Sequence, residues 1–319
     1  MIAEMDSELL SLRALSTERL ALFCEFASGG SIAAAVGDDL GKQTQASRWI
    51  AELEKSIGFP LTERRGRHLT VNAVGARLAR ILRGRFEELD EFVRKERDEL
   101  VTLRIGAGNS VIEWMLAPRL GEAHTMFPRC AFDIENLRTD AILLGLNDLT
   151  LDLGVVRSEA IPSGSTKEQA RGLSIGTLPF AEVHYRLFVP VGMLSKKPIP
   201  DIVQLLARLP LATSKGGHFN ARLKAAAHDA GITLAVRLAC ASFTQAAQAV
   251  RSGAFAGILP DTATAALPAA EFRNLDITPL ALPPRKLVLA WNRRLAAIRP
   301  LIGDVANLLS KTGVPSARR

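Results

Sequence analysis

Residues 42–71 read KQTQASRWIAELEKSIGFPLTERRGRHLTV, and this stretch decides the fold. Ala46, Trp49, Ile50, Leu53 and Ile57 recur at helical spacing, and Gly58 is a C-terminal stop. The spacing predicts a helix from about Lys42 to Ile57. Its leading turns carry Gln43, Thr44, Gln45, Ser47 and Arg48, short or forked donors and acceptors of the kind that reach base edges and phosphates. Beyond Gly58, Pro60-Leu61-Thr62 and His68-Leu69-Thr70-Val71 form two short strands around a turn at Arg65-Gly66. Arg64, Arg65 and Arg67 then stand on a basic hairpin, placed for phosphate or minor-groove contact.

Upstream, Ser16 or Thr17 caps a helix whose apolar face is Leu20, Phe23, Cys24 and Ala27, and Gly29-Gly30 ends it. Ser31 caps a second, short helix over Ile32–Val36, whose three alanines let another helix approach closely. Gly37-Asp38-Asp39 reads as the turn that follows. A short helix, a turn and a longer helix led by polar residues make a helix-turn-helix, and the hairpin after it makes a winged helix. Charge supports this. The 319-residue chain has 40 Lys+Arg and 33 Asp+Glu, a net charge of +7. Residues 41–85 alone hold ten bases and three acids, an island between acidic flanks. Such an island suits a polyanion, although a solvated basic face has the same composition.

On these residues the chain resembles the LysR-type transcriptional regulators. The resemblance rests on Leu20-x-x-Phe23, Gly30-Ser31-x-x-Ala34-Ala35, Gln43-x-x-x-Ser47-Arg48-x-Ile50-x-x-Leu53-Glu54, Gly58-x-Pro60-Leu61-x-x-Arg64, Arg67 and Gly75. It implies a DNA-contacting set of Ser31, Gln43, Thr44, Gln45, Ser47, Arg48, Arg64, Arg65 and Arg67. There are departures. Thr44 stands where the family often has proline, Thr62 where phenylalanine is usual, and Asn72 where a threonine caps the next helix. Asp38 and Asp39 place two acids near the expected DNA face.

From Ala73 to about Leu100, bases and acids alternate around Leu78, Leu82, Phe86, Leu89 and Val93. These apolar steps of three and four predict one long amphipathic helix, with Gly84 as an interior weak point. A helix so polar outside needs a partner, and in the resembled family it is the dimerisation helix. Past residue 100, short apolar runs alternate with helical stretches, which argues for α/β architecture with parallel sheets. Leu151-Asp152-Leu153-Gly154-Val155-Val156-Arg157, Gln248–Gly253 leading to Gly257-Ile258-Leu259-Pro260, and Leu287–Trp291 resemble the family's effector-binding domain, a two-lobed periplasmic-binding-protein-like fold. The fold expected is therefore α/β overall, with an N-terminal all-α winged helix-turn-helix and a long linker helix. The winged helix covers 14–74, the linker 75–101 and the effector-binding domain 102–319. Its first lobe takes 102–180 and 285–315, and its second 181–284.

Ligands of such folds lie at strand C-terminal ends and helix N-termini. That rule selects Asn109 and Ser110 after one strand, Arg138 after another, Thr213 and Ser214 in the second lobe, and Phe243 and Thr244 opening a helix. Free amides there, with Arg138 or Lys215 near, would suit a small organic anion. Each residue also has a plain reading as helix cap or solvated loop.

Other chemistry finds little support. Cys24, Cys130 and Cys240 are more than 100 residues apart, with no CxxC or Cys/His spacing for a disulfide framework or zinc. The five histidines show no ligand spacing, and no GxSxG appears, so neither catalytic residues nor a cofactor or metal is expected. The longest stretch without charge, Leu238–Val250, has 13 residues, too few to span a bilayer. The first residues, MIAEMDSELLSLR, lack an apolar secretory core, and reducing cytoplasm is the expected compartment. Expected partners are double-stranded DNA bearing a dyad operator, a small-molecule effector and further copies of the chain as homodimer or homotetramer. RNA polymerase is a candidate contact and a membrane is not. The competing class is an α/β enzyme or small-molecule-binding protein with an accessory N-terminal module that does not read DNA specifically. The basic window 41–85, which an enzyme has no need for, argues against it. A third reading is a regulator-like protein acting through protein contacts, its DNA reading blunted by Asp38, Asp39 and Thr44.

Overall fold

The computed structural model describes residues 15–65, 68–97, 99–161, 174–194, 201–215 and 217–311. Arg67, one of the expected DNA contacts, lies outside the described residues, as does Gly66 beside it.

The chain opens with α1 (Thr17–Gly29), α2 (Ile32–Val36) and α3 (Leu40–Ile57). Ser16 caps α1 and Ser31 caps α2, each side-chain oxygen accepting from the amide three residues on. The start of α3 differs from the sequence reading. Asp39 is its N-cap, with Oδ1 accepting from the Gly41 and Lys42 amides at 2.9 and 3.1 Å, so the helix begins at Leu40. A carboxylate at a helix N-terminus meets both the orphan amides and the positive dipole end. Asp39 is thus a structural cap as well as an acid. Gly58, at φ 87°, ends α3 in the left-handed region that glycine adopts without strain.

The wing strands β1 (Thr62–Arg65) and β2 (His68–Val71) pair antiparallel. Glu54 fastens them to α3, because its Oε1 accepts from the Leu61 amide at 2.7 Å and from both the amide and hydroxyl of Thr62 at 2.8 Å. Phe23, Phe26, Ile50, Leu53, Leu61 and Ala79 form the small core beneath. Asn72 caps α4 (Ala73–Arg97), accepting from the Val74 and Gly75 amides at 2.9 Å. Glycine is required at 75, since a Cβ there would stand 2.1 Å from the Leu61 carbonyl oxygen.

Along α4, Leu78 and Leu82 pack into the winged-helix core. Ile81, Leu89 and Phe92 are 57%, 60% and 62% exposed, an apolar stripe turned away from the chain's own body. The helix runs unbroken through Gly84.

Two five-stranded sheets follow. The first has the order β4 (Cys130–Asn136), β3 (Val101–Ala107), β5 (Leu153–Arg157), β12 (Arg285–Asn292) and β6 (Ile175–Val183). The second has the order β11 (Phe272–Asp276), β7 (Tyr185–Pro190), β10 (Ala256–Pro260), β8 (Leu211–Ser214) and β9 (Val236–Cys240). Parallel sheets were expected, and both are mixed. β12 runs antiparallel to β5 and β6, and β7 antiparallel to β10 and β11. The chain enters the second lobe through His184 and returns through β12, so the strands next to each crossing run against their neighbours. Apolar patterning sees burial and not strand direction.

The first lobe also holds α5 (Asn109–Val111), a π-helical segment Ile112–Leu116, α6 (Ala117–Met126), α7 (Thr139–Asn147), α11 (Arg293–Ile298) and α12 (Leu301–Lys311). The second holds α8 (Ile202–Arg208), α9 (Gly217–Asp229) and α10 (Phe243–Arg251). The last helical stretch is split into α11 and α12, because Pro300 has no amide to continue the first. Among the described residues no helix is long and apolar enough to cross a membrane, and no cluster of His, Cys, Asp and Glu could hold a metal ion.

Candidate functional site

At the winged helix, the structure divides the expected DNA contacts. Ser31 is committed to capping α2. Gln43 donates from Nε2 to the Gly37 carbonyl at 2.7 Å, and the Thr44 hydroxyl donates to the Leu40 carbonyl at 2.8 Å, so both hold the turn and first turns of α3. Gln45, Ser47 and Arg48 are exposed. Arg48 pairs with Glu52 at 2.9 Å, but its side chain is 80% exposed, and such a pair is worth little in water. On the wing, Arg64 and Arg65 are exposed, and Arg65 pairs with Glu63 at 2.9 Å.

Between the lobes lies a cleft of about 480 Å³. Of the expected ligand residues, Asn109, Ser110, Arg138, Ser214 and Phe243 line it. Thr213 does not; it is buried in β8 with its Oγ1 unpartnered among the described residues. Thr244 sits behind the wall, where its Oγ1 accepts from Asn109 Nδ2 at 2.7 Å and lies 2.9 Å from Ser242 Oγ, making a hydrogen bond from one lobe to the other. Lys215 is exposed and is not part of the lining.

The cleft contains more than the sequence reading found. Arg157, Arg222 and Arg285 join Arg138 in its lining, against a single lining carboxylate, Asp140. Glu159 offsets part of this charge, 3.6 Å from Arg157 and 3.8 Å from Arg222. Tyr185, the chain's single tyrosine, forms an aromatic wall with Phe219 and Phe243 at centroid distances of 4.5 and 6.0 Å. Phe219 and Phe243 meet edge to face at 4.8 Å. Burial pushes the Tyr185 phenol up, against the pull of Arg285, Arg222 and Arg157. Burial likewise draws the Arg285 guanidinium down, opposed by its contact with Tyr185. Its Nε is buried without a hydrogen-bond partner among the described residues.

Position explains what was missed. Arg157 ends a strand the sequence had identified, and the strand-end rule would have reached it. Phe219 and Arg222 share a face of α9 at i and i+3. Tyr185 and Arg285 open the two strands that begin just after the crossings, and no local pattern marks a crossing.

A family model described as the LysR substrate binding domain matches residues 97–309. The chain belongs to the LysR family of transcriptional regulators. Solved structures of LysR-type regulators share its fold over nearly the whole chain. Full-length OxyR from Pseudomonas aeruginosa is 16% identical, with 94% of this chain and 96% of that one covered and a TM-score of 0.65. ArgP from Mycobacterium tuberculosis is 16% identical, with 93% and 98% covered and a TM-score of 0.64. Full-length CbnR in complex with its target DNA is 19% identical, with 92% and 100% covered and a TM-score of 0.56. At these identities the likeness is one of fold. No curated protein matches the chain.

Proposed function

We propose that this LysR-family chain binds a dyad operator on double-stranded DNA through its winged helix and responds to a small organic anion held between its lobes. The observation that carries the reading is the convergence of Arg138, Arg157, Arg222 and Arg285 on one cleft, in a chain that exposes Gln45, Ser47 and Arg48 on α3. Four guanidiniums facing one lining carboxylate are complementary to an anion. We assign residues 14–74 to DNA binding, 75–101 to the linker and 102–319 to sensing, with lobes 102–180 plus 285–315 and 181–284. The exposed stripe Ile81, Leu89 and Phe92 on α4 suits pairing of two chains, as a homodimer or within a homotetramer. Action on RNA polymerase in the cytoplasm, without catalysis or cofactor, completes the reading.

The test is mapping of bound DNA across the genome, followed by fluorescence anisotropy on a recovered fragment. Affinity should fall steeply with salt and weaken in Arg48→Ala. Binding that ignores both the salt and the substitution overturns the reading.

A further inference from the structure

We propose that the interlobe cleft takes an aromatic carboxylate, its ring on the wall of Tyr185, Phe219 and Phe243 and its carboxylate at Arg285 and Arg157. This rests on the reading of the cleft as the sensing site and names the class of molecule sensed.

Two features of the cleft specify different parts of the ligand. The first is charge that the protein leaves uncompensated. Arg285 has a buried Nε without a hydrogen-bond partner among the described residues, and the neighbour that most favours its charge is the Tyr185 phenol. A guanidinium taken out of water without a carboxylate is costly, and a bound anion removes that cost. Glu159 pairs with Arg157 and Arg222 and favours the Arg285 charge only as the weakest of its neighbours' effects, which leaves Arg285 the strongest claim on a ligand carboxylate. The second is an apolar surface of a particular shape. Phe219 and Phe243 are only 7% and 8% exposed, and together with Tyr185 they line the cleft as one cluster of packed rings. Leu137, Ile142 and Val155 line the cleft from the other lobe. A flat ring satisfies both walls, with offset or edge-to-face contacts on one side and aliphatic contact on the other. An aliphatic dicarboxylate or inorganic phosphate would use the arginines and leave the aromatic wall wet.

The experiment is isothermal titration of the full chain with benzoate, cinnamate and 2-naphthoate. It is run beside benzamide (neutral), cyclohexanecarboxylate (saturated), succinate and inorganic phosphate, and anisotropy on bound DNA is measured in parallel. At least one aromatic acid should bind more tightly than all four comparison compounds. Phe243→Leu and Phe219→Leu, which keep most of the volume, should each weaken it by up to about tenfold, while the melting temperature without ligand reports whether the fold is intact. Arg285→Lys should weaken it and Arg285→Gln more so. Succinate or phosphate binding as tightly as the best aromatic acid overturns the proposal, and does so whether or not DNA binding responds. Benzamide matching benzoate overturns it too, as does failure of all three aromatic acids at millimolar concentration. An aromatic acid that binds, depends on Phe243 and Arg285 and leaves DNA affinity unchanged supports the ligand class while refuting the sensing role.

Discussion

Arg83 on α4 donates to the Asp148 carbonyl at 2.8 Å through one terminal nitrogen and to the Cys24 carbonyl at 2.8 Å through the other. One guanidinium thereby joins α1 of the winged helix to the first lobe. It reaches that lobe at the C-terminal end of α7, the helix whose N-terminal residues Thr139 and Asp140 line the cleft. The nine residues of α7 therefore run from the interlobe cleft to the contact with Arg83 of α4.

The joint makes a stability prediction. Arg83→Ala removes a charged donor from two carbonyls and should lower unfolding stability by about 2 kcal/mol in urea titrations. Arg85→Ala, whose exposed side chain pairs with Glu88, should change it by less than about 1 kcal/mol. Equal effects from the two would show that the Arg83 contacts carry no weight in solution.

A second joint is ionic and buried. Asp152, fully buried, accepts from Arg299 at 2.8 Å and from Arg104 at 3.1 Å, and Glu87 and Glu91 of α4 reach the same arginines. Burial works against the Arg104 charge, but Asp152 and Glu87 outweigh it and raise its pKa above the ordinary value. Asp152→Asn keeps the shape but takes the one fully buried carboxylate from Arg104 and Arg299, leaving them Glu87 and Glu91 alone, with Arg299 only 5% exposed. It should cost about 3 kcal/mol or more, measured as a fall in the urea midpoint at unchanged slope. An unchanged midpoint would mean the cluster contributes nothing net.

How far these features were legible follows from what a one-dimensional pattern records. The winged helix was legible because its determinants are local: caps at Ser16 and Ser31, a stop at Gly58, apolar spacing in α3. Even there, Asp39 read as turn and capped a helix, since the same residue type serves both. The half of the cleft built from loops at strand ends was legible through Asn109, Ser110, Arg138 and Ser214. Arg285 and Tyr185 were not, because their meeting depends on two crossings between lobes 100 residues apart in sequence. Nor did the sequence show that Thr213 turns into the sheet, as a four-residue strand has too little alternation to fix its faces.

On α3, hydrogen bonding to the backbone sets Gln43 and Thr44 apart from the exposed Gln45 and Arg48. Gln45→Ala and Arg48→Ala should each weaken operator binding by about 1–3 kcal/mol with little change in melting temperature, as expected for residues that contact bases or phosphates. Gln43→Ala should instead lower the melting temperature, because its amide holds the Gly37 carbonyl. Anisotropy paired with calorimetry checks the division. A loss of DNA affinity in Gln43→Ala at unchanged melting temperature would return that residue to the contact set.

The cysteines predict a pH dependence. Cys24 and Cys130 are buried, and desolvation pushes each thiol up to about 11 from an ordinary value of 9.0. Arg83 opposes the shift at Cys24, and the Leu103 backbone and Arg299 oppose it at Cys130, without reversing it. A raised thiol pKa means folding favours the protonated form. The stability linked to these thiols is whole below pH 9, where the unfolded thiols are also protonated, and is lost as pH rises from 9 to 11. The thiolate fraction at pH 8 falls about a hundredfold relative to a free cysteine, so a thiolate-seeking reagent such as DTNB should react fast only after unfolding. The melting temperature should drop between pH 9 and 11, and Cys24→Ala together with Cys130→Ala should flatten that drop. A steep drop that survives both substitutions would assign the alkaline transition to other groups, with Tyr185, whose phenol burial also pushes up, the next to examine.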